Sequence, residues 1–185
     1  MNMHYLTYVF IPTDADVDDA VAAALRPFSA EIEVKPWKRH LDSVEIAQMA
    51  KFYGIPKANA ITFAGHMKDW NGGKGDVDAD GLFVIHTFNP DGKWDWYEIG
   101  GRWNRIIPEN VQGARLLLKH PKFAGILPHD FLTPDGKWHE VETFVPTAAM
   151  GGRFDRIDQK TWLKNFKAAL HAYADYRVVS VDRHS

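Results

Sequence analysis

Leu82-Phe83-Val84-Ile85-His86-Thr87-Phe88, Asn89-Pro90-Asp91-Gly92 and Lys93-Trp94-Asp95-Trp96-Tyr97-Glu98-Ile99 form the stretch whose reading decides the fold. Two runs of aromatic and β-branched residues flank a Pro-Asp-Gly turn, the pattern of a β-hairpin. Gly100-Gly101 breaks the second run. Upstream, Tyr5 to Ile11 reads as a strand that Pro12 stops. Val17, Ala20, Val21, Ala24, Leu25 and Phe28 then repeat as one face of a helix, with Thr13 and Asp14 offering caps and Pro27 ending it. Asp42 with Glu45 resembles a capping box opening a short helix from Ser43 to Tyr53, which Gly54 and Pro56 terminate.

Downstream, Pro134-Asp135-Gly136-Lys137-Trp138 repeats Pro90-Asp91-Gly92-Lys93-Trp94 letter for letter. Gly151-Gly152-Arg153-Phe154 likewise echoes Gly100-Gly101-Arg102-Trp103. The spacings between the paired motifs differ, so two hairpins using the same turn explain the echo better than a duplication. Asp158 caps a helix whose Trp162, Leu163, Phe166, Ala169, Leu170 and Tyr173 form one apolar stripe, and Arg177 to His184 is a closing strand. The expected fold is therefore α+β: a ferredoxin-like βαββαβ sheet with helices on one face and an inserted second hairpin. No linker or charge block interrupts residues 1–185, so a single domain is expected.

Composition narrows the function classes. A chain of 185 residues buries roughly 70% of its unfolded surface and folds without a staple. The absence of cysteine removes disulfides, Fe–S clusters and thiolate zinc sites. With 22 basic and 24 acidic residues the net charge is −2, so no basic field points to nucleic acid or an anionic membrane. The N-terminal residues lack the make-up of a signal peptide, and no apolar run is long enough to span a bilayer; a cytoplasmic protein is expected.

The chemistry concentrates in Lys93 to Trp103, which joins four aromatic rings, two carboxylates, a double glycine and an arginine. Strand alternation sends Trp94, Trp96 and Glu98 to one side and Asp95, Tyr97 and Ile99 to the other. Gly100-Gly101-Arg102 after a strand can make a nest of backbone N–H groups beside a guanidinium, suited to phosphate or carboxylate. It is neither a P-loop nor a dinucleotide fingerprint. A core-filling Trp pair with an internally bonded turn competes with this reading. Asp182 and His184 share a strand face, the arrangement that orients a general base. Asp76-Val77-Asp78-Ala79-Asp80-Gly81 matches the first half of an EF-hand loop, but Thr87 stands where the bidentate Glu belongs. Among the nine histidines no metal-binding spacing occurs, and neither metal nor cofactor is expected.

Asn89-Pro90-Asp91-Gly92-Lys93-Trp94-Asp95-Trp96-Tyr97-Glu98-Ile99-Gly100-Gly101-Arg102-Trp103, with the later Thr133-Pro134-Asp135-Gly136-Lys137-Trp138-His139-Glu140 and the closing Val178 to Ser185, resembles a group of uncharacterised bacteriophage and prophage proteins. That group carries an NPxxKWDWYxIGGRW core. Arg183 stands where its members usually have Cys, and Met150 to Phe154 is poorer in Trp than theirs. The resemblance implies a phage or prophage accessory protein and brings no activity with it. The expected function is binding of an anionic, nucleotide-like small ligand, or of a host protein, by Trp94, Asp95, Tyr97, Gly100, Gly101, Arg102 and Trp103 with Asp182 and His184. The alternatives are a phosphoester hydrolase or transferase using Asp95 or Asp182/His184, and a structural protein whose aromatic hairpin is a homodimer interface.

Overall fold

The computed structural model describes residues 3–54, 74–119, 127–147 and 151–185. Their contacts divide into two compact units: Met1–Ile32, Pro90–Thr143 and Arg156–Ser185 form the first, and Glu33–Asn89 with Phe144–Asp155 form the second. In chain order the elements of the first half are β1 (His4–Ile11), α1 (Val17–Leu25), β2 (Trp37–His40), α2 (Ser43–Tyr53), β3 (Lys74–Asp78), β4 (Gly81–His86) and β5 (Trp96–Ile99). They continue as β6 (Val111–Gly113), α3 (Ala114–Leu117), β7 (Asp130–Leu132), β8 (Trp138–Glu140), β9 (Glu142–Thr147), β10 (Gly151–Arg156), α4 (Gln159–Ala172) and β11 (Arg177–His184).

The stretch that organised the sequence reading does not form a hairpin. β4 pairs with β2 and β3, whereas β5 pairs with β11. Residues 87–95 leave one unit and enter the other, so the first Pro-Asp-Gly-Lys-Trp marks a boundary. The second makes the expected turn: β7 and β8 pair antiparallel, Gly136 adopts φ 77°, and its amide donates to the Thr133 carbonyl. Identical letters thus give different outcomes, because a turn sequence permits a reversal and only the flanking strands choose their partners.

The sheet of the first unit runs β5-β11-β1-β7-β8, with β6 also on β11. β1 lies antiparallel to β11 and parallel to β7. The α+β character stands, but a ferredoxin-like sheet would place β1 antiparallel to both neighbours. Here the β7–β8 hairpin presents its first strand to β1, which makes that pair parallel and the sheet mixed.

Helices cover both faces rather than one. Leu6, Tyr8 and Phe10 of β1 pack with Trp162, Phe166 and Leu170 of α4, while Val9 and Ile11 pack with Val21 and Leu25 of α1. Burial on both sides explains why β1 reads as a near-continuous apolar run instead of alternating. Each such side chain, removed from water, contributes about 1.5–3 kcal/mol. Trp162 also donates its indole N–H to the Pro128 carbonyl at 2.7 Å, satisfying its one polar atom in the core.

The caps follow the sequence closely. Asp42 accepts from Val44 and Glu45 while Glu45 reaches back to the Asp42 amide, and Gly54 closes α2 in the left-handed region. Asp158 caps α4 by accepting from Lys160 and Thr161. For α1 the cap is Asp16, beyond the expected Thr13 and Asp14. In the second unit β2, β4 and β3 form an antiparallel sheet, on which Trp37 lies 4.8 Å from the His86 ring and donates its indole N–H to the Phe88 carbonyl. Among the described residues no helix is long and apolar enough to cross a membrane.

Candidate functional site

Strand register decides which polar side chains meet. β1 and β11 pair so that His4 stands opposite His184 and Leu6 opposite Asp182. On the other side of β11, His184 stands opposite Trp96 and Asp182 opposite Glu98. Cross-strand partners share a face, so His4, Asp182, His184, Trp96 and Glu98 gather at one end of one face of the sheet. Asp95, at the bend before β5, completes the group.

Two histidine–carboxylate pairs result. His4 Nδ1 lies 2.9 Å from Asp182 Oδ1, and His184 Nδ1 lies 2.6 Å from Asp95 Oδ1. The two rings face edge to plane with centroids 5.4 Å apart, and Trp96 makes an edge contact with His4. Asp182 is buried, the two histidines are largely enclosed, and Trp96 and Asp95 are exposed. The Nε2 of His184 is enclosed without a hydrogen-bond partner among the described residues. A buried polar atom left unmatched costs about 1–3 kcal/mol, and this nitrogen shares that state with Trp138 Nε1 and Arg177 Nε.

The glycine turn was expected to gather amides around a bound anion; a single amide, that of Arg102, meets a carboxylate, and it is the protein's own Asp182. The Arg102 amide donates to Asp182 Oδ2 at 3.0 Å. A Cβ on Gly101 would fall 2.3 Å from the Asp182 Cβ, so only glycine lets the turn close this tightly. The Gly100 amide donates to Ser180 and the Trp103 amide to Gly100. These amides are therefore spent internally, and the turn serves to fix Asp182, which in turn fixes His4. The Arg102 side chain is exposed and carries no ion pair among the described residues.

The aromatic residues divide. The bend at Asp95 breaks strand alternation, so Trp94 joins Tyr97 and Ile99 against the α1 core instead of sharing a side with Trp96. Its indole N–H donates to the Leu25 carbonyl at 2.9 Å. Trp103 packs against the opposite core. Of the expected site residues, Asp95, Gly101, Arg102, Asp182 and His184 come together, with Gly100 in the supporting turn. Trp94, Tyr97 and Trp103 are packing residues. His4 was missed, because its partner lies 178 residues away and only register brings them together.

A second polar cluster occupies the other face at the same end. Arg183 Nε donates to Asp130 at 2.6 Å and its Nη1 to the Lys93 carbonyl, with the guanidinium 4.4 Å from the Tyr5 ring. His129 and Thr7 also bond Asp130, which is fully buried. Burial pushes the Asp130 carboxyl up, but hydrogen bonds and charge from His129 and Arg183 outweigh it and hold the group below its usual value. Arg183 is thus tied to a buried carboxylate.

In the second unit, Asp78 accepts from His40 at 2.9 Å and Lys38 at 3.0 Å, which lower its pKa to about 2. His40, Asp78 and Asp80 lie close enough together to share a cation. The Lys38 ammonium already neutralises the central carboxylate, and the acidic run is a hairpin joining β3 to β4 rather than an EF-hand loop. No family model, no curated protein and no solved structure matches this chain, and its function rests on the site itself.

Proposed function

We propose that this chain is an acid–base enzyme, a hydrolase or transferase of a phosphorylated substrate, with His4 and His184 as its proton carriers. The observation that supports it is the pair of adjacent imidazoles, each anchored through Nδ1 on a carboxylate and 5.4 Å apart. A carboxylate on Nδ1 holds the proton there and leaves Nε2 to exchange one with a substrate. Phosphoryl transfer asks for a proton at both ends. A neutral imidazole takes the proton of the attacking water or hydroxyl as the new P–O bond forms. A protonated imidazole gives one to the leaving oxygen as the old P–O bond breaks. Exposed Arg102 supplies positive charge at the rim, and exposed Trp96 is the cross-strand neighbour of His184. The resemblance to phage and prophage proteins implies an accessory role in the host cytoplasm.

Hydrolysis of phosphomonoester and phosphodiester model substrates across pH 5 to 9 tests this reading. A bell-shaped rate profile is expected, since one histidine works neutral and the other charged. His4→Ala and His184→Ala are each expected to lower turnover by about a hundredfold or more, with unfolding unchanged in kind. Wild-type turnover that survives both substitutions overturns the assignment. A second reading draws on the exposure of Trp96 and Arg102 on one strand-turn: binding of an anionic ligand or a host protein without catalysis. Absent turnover, with ligand affinity lost in Arg102→Ala, would favour it. A change in solution mass on Trp96→Ala would favour a homodimer contact.

A further inference from the structure

We infer that the cleft between α3 and α4 binds the phosphate groups of a small oligophosphate ligand, at a site separate from the histidine pairs. The cleft is open to solvent, spans about 530 Å³ and is lined by Arg115, Leu118, Lys119, Lys167, His171 and Ala174. That volume falls within the range of small-molecule sites.

Its charge is one-sided. The 14 residues of α4 include Lys160, Lys164, Lys167 and His171 and no Asp or Glu. Their i, i+4, i+7, i+11 spacing puts them on one helix face, while Trp162, Phe166 and Leu170 are buried. An ordinary solvated face in a chain with 24 acidic residues would mix signs. A cation near a helix C-terminus complements the dipole, which accounts for His171 but not for Lys167 a turn earlier or for Arg115 and Lys119 on the facing wall. Lys119, Lys167 and His171 have no ion-pair partner among the described residues. Arg115 meets Asp175 at 2.8 Å through one nitrogen, and its other donors remain.

Among the described residues the lining contains no Phe, Tyr or Trp on which to stack a base, and recognition falls on phosphate oxygens. It is also remote from the histidines. β11 starts three residues after Ala174 and carries His184 at its far end, about 23 Å of strand away. A ligand here leaves the histidine centre untouched.

Calorimetric titration of the full chain with inorganic tripolyphosphate at low salt is the test. Saturable binding is expected, weakened about tenfold or more by Lys119→Ala combined with Lys167→Ala, and weakened by added salt. Both lysines are exposed, so the double variant is expected to keep the wild-type unfolding midpoint. Affinity for tripolyphosphate is expected to survive His4→Ala and His184→Ala, which separates this site from the acid–base centre. No saturable binding at millimolar tripolyphosphate, or equal affinity in the double variant, overturns the assignment. Binding of an oligothymidylate strand that needs both lysines, with none of tripolyphosphate, would also overturn it and point to a nucleic-acid backbone.

Discussion

Gly101 shows how one residue governs the site. It holds φ at 47°, and the carbon that any other residue would add meets Asp182 at 2.3 Å. Gly101→Ala is therefore expected to destabilise the protein by about 2–5 kcal/mol, from left-handed strain together with overpacking. Urea unfolding checks this, and a loss below about 0.5 kcal/mol would show that the turn yields freely. The same variant should disturb His4, because Asp182 is the link between them. At this scale the sequence was half legible. That Gly100-Gly101 ends its strand could be read from the residue types. That Asp182 would lie against this turn could not, since nothing local ties residue 101 to residue 182. The same holds for Arg183 and Asp130, joined across β1 by pairings the sequence leaves open.

Helix caps and apolar stripes are local, and they were the most readable elements. The Asp42 capping box, the Asp158 cap and the Arg177–His184 strand appear where their residues place them. Asp158 also makes a pH-dependent contribution. Hydrogen bonds from the Thr161 side chain and amide hold its carboxyl below the usual value. A carboxyl that is more acidic in the folded state stabilises above its unfolded pKa of about 3.9, and that stability fades as pH falls through the lower, folded value. Asp158→Ala is expected to lower the thermal midpoint by roughly 2–4 °C at neutral pH, with the gap to wild type closing in acid. A gap independent of pH would argue that the ionised cap contributes nothing. Strand pairing was the least readable property. The run from Leu82 to Ile99 has every local mark of a hairpin, and its halves pair elsewhere. Strand direction failed for the same reason: alternation tells which side chains share a face but not which neighbour lies alongside.

At the largest scale, the first unit is built on a mixed sheet, and for residues 33–89 the chain leaves that unit and re-enters it at almost one point. Ser29 bridges Trp94, the Ala30 amide donates to the Trp94 carbonyl, and the Lys93 amide donates to the Phe28 carbonyl, both at 2.7 Å. Ends held together in this way need little from what lies between them. Replacing residues 33–89 with a short Gly-Ser linker is expected to leave the first unit folded, because loop closure costs only (3/2)RT ln n and the neck already supplies it. Far-ultraviolet circular dichroism and a single cooperative denaturant transition are the measurements; a non-cooperative, collapsed species would show that the excursion is needed for folding. The sequence hid this arrangement because the boundary carries no linker composition. Its turn looks like any other.

The outer strands of that sheet have a consequence for solubility. β8 and β6 offer three residues each and β5 only four, while the eight-residue strands β1 and β11 lie inside. An approaching chain finds too short a ladder there to zip onto, so the long, sticky centre is fenced from fibre growth by its own stubby margins.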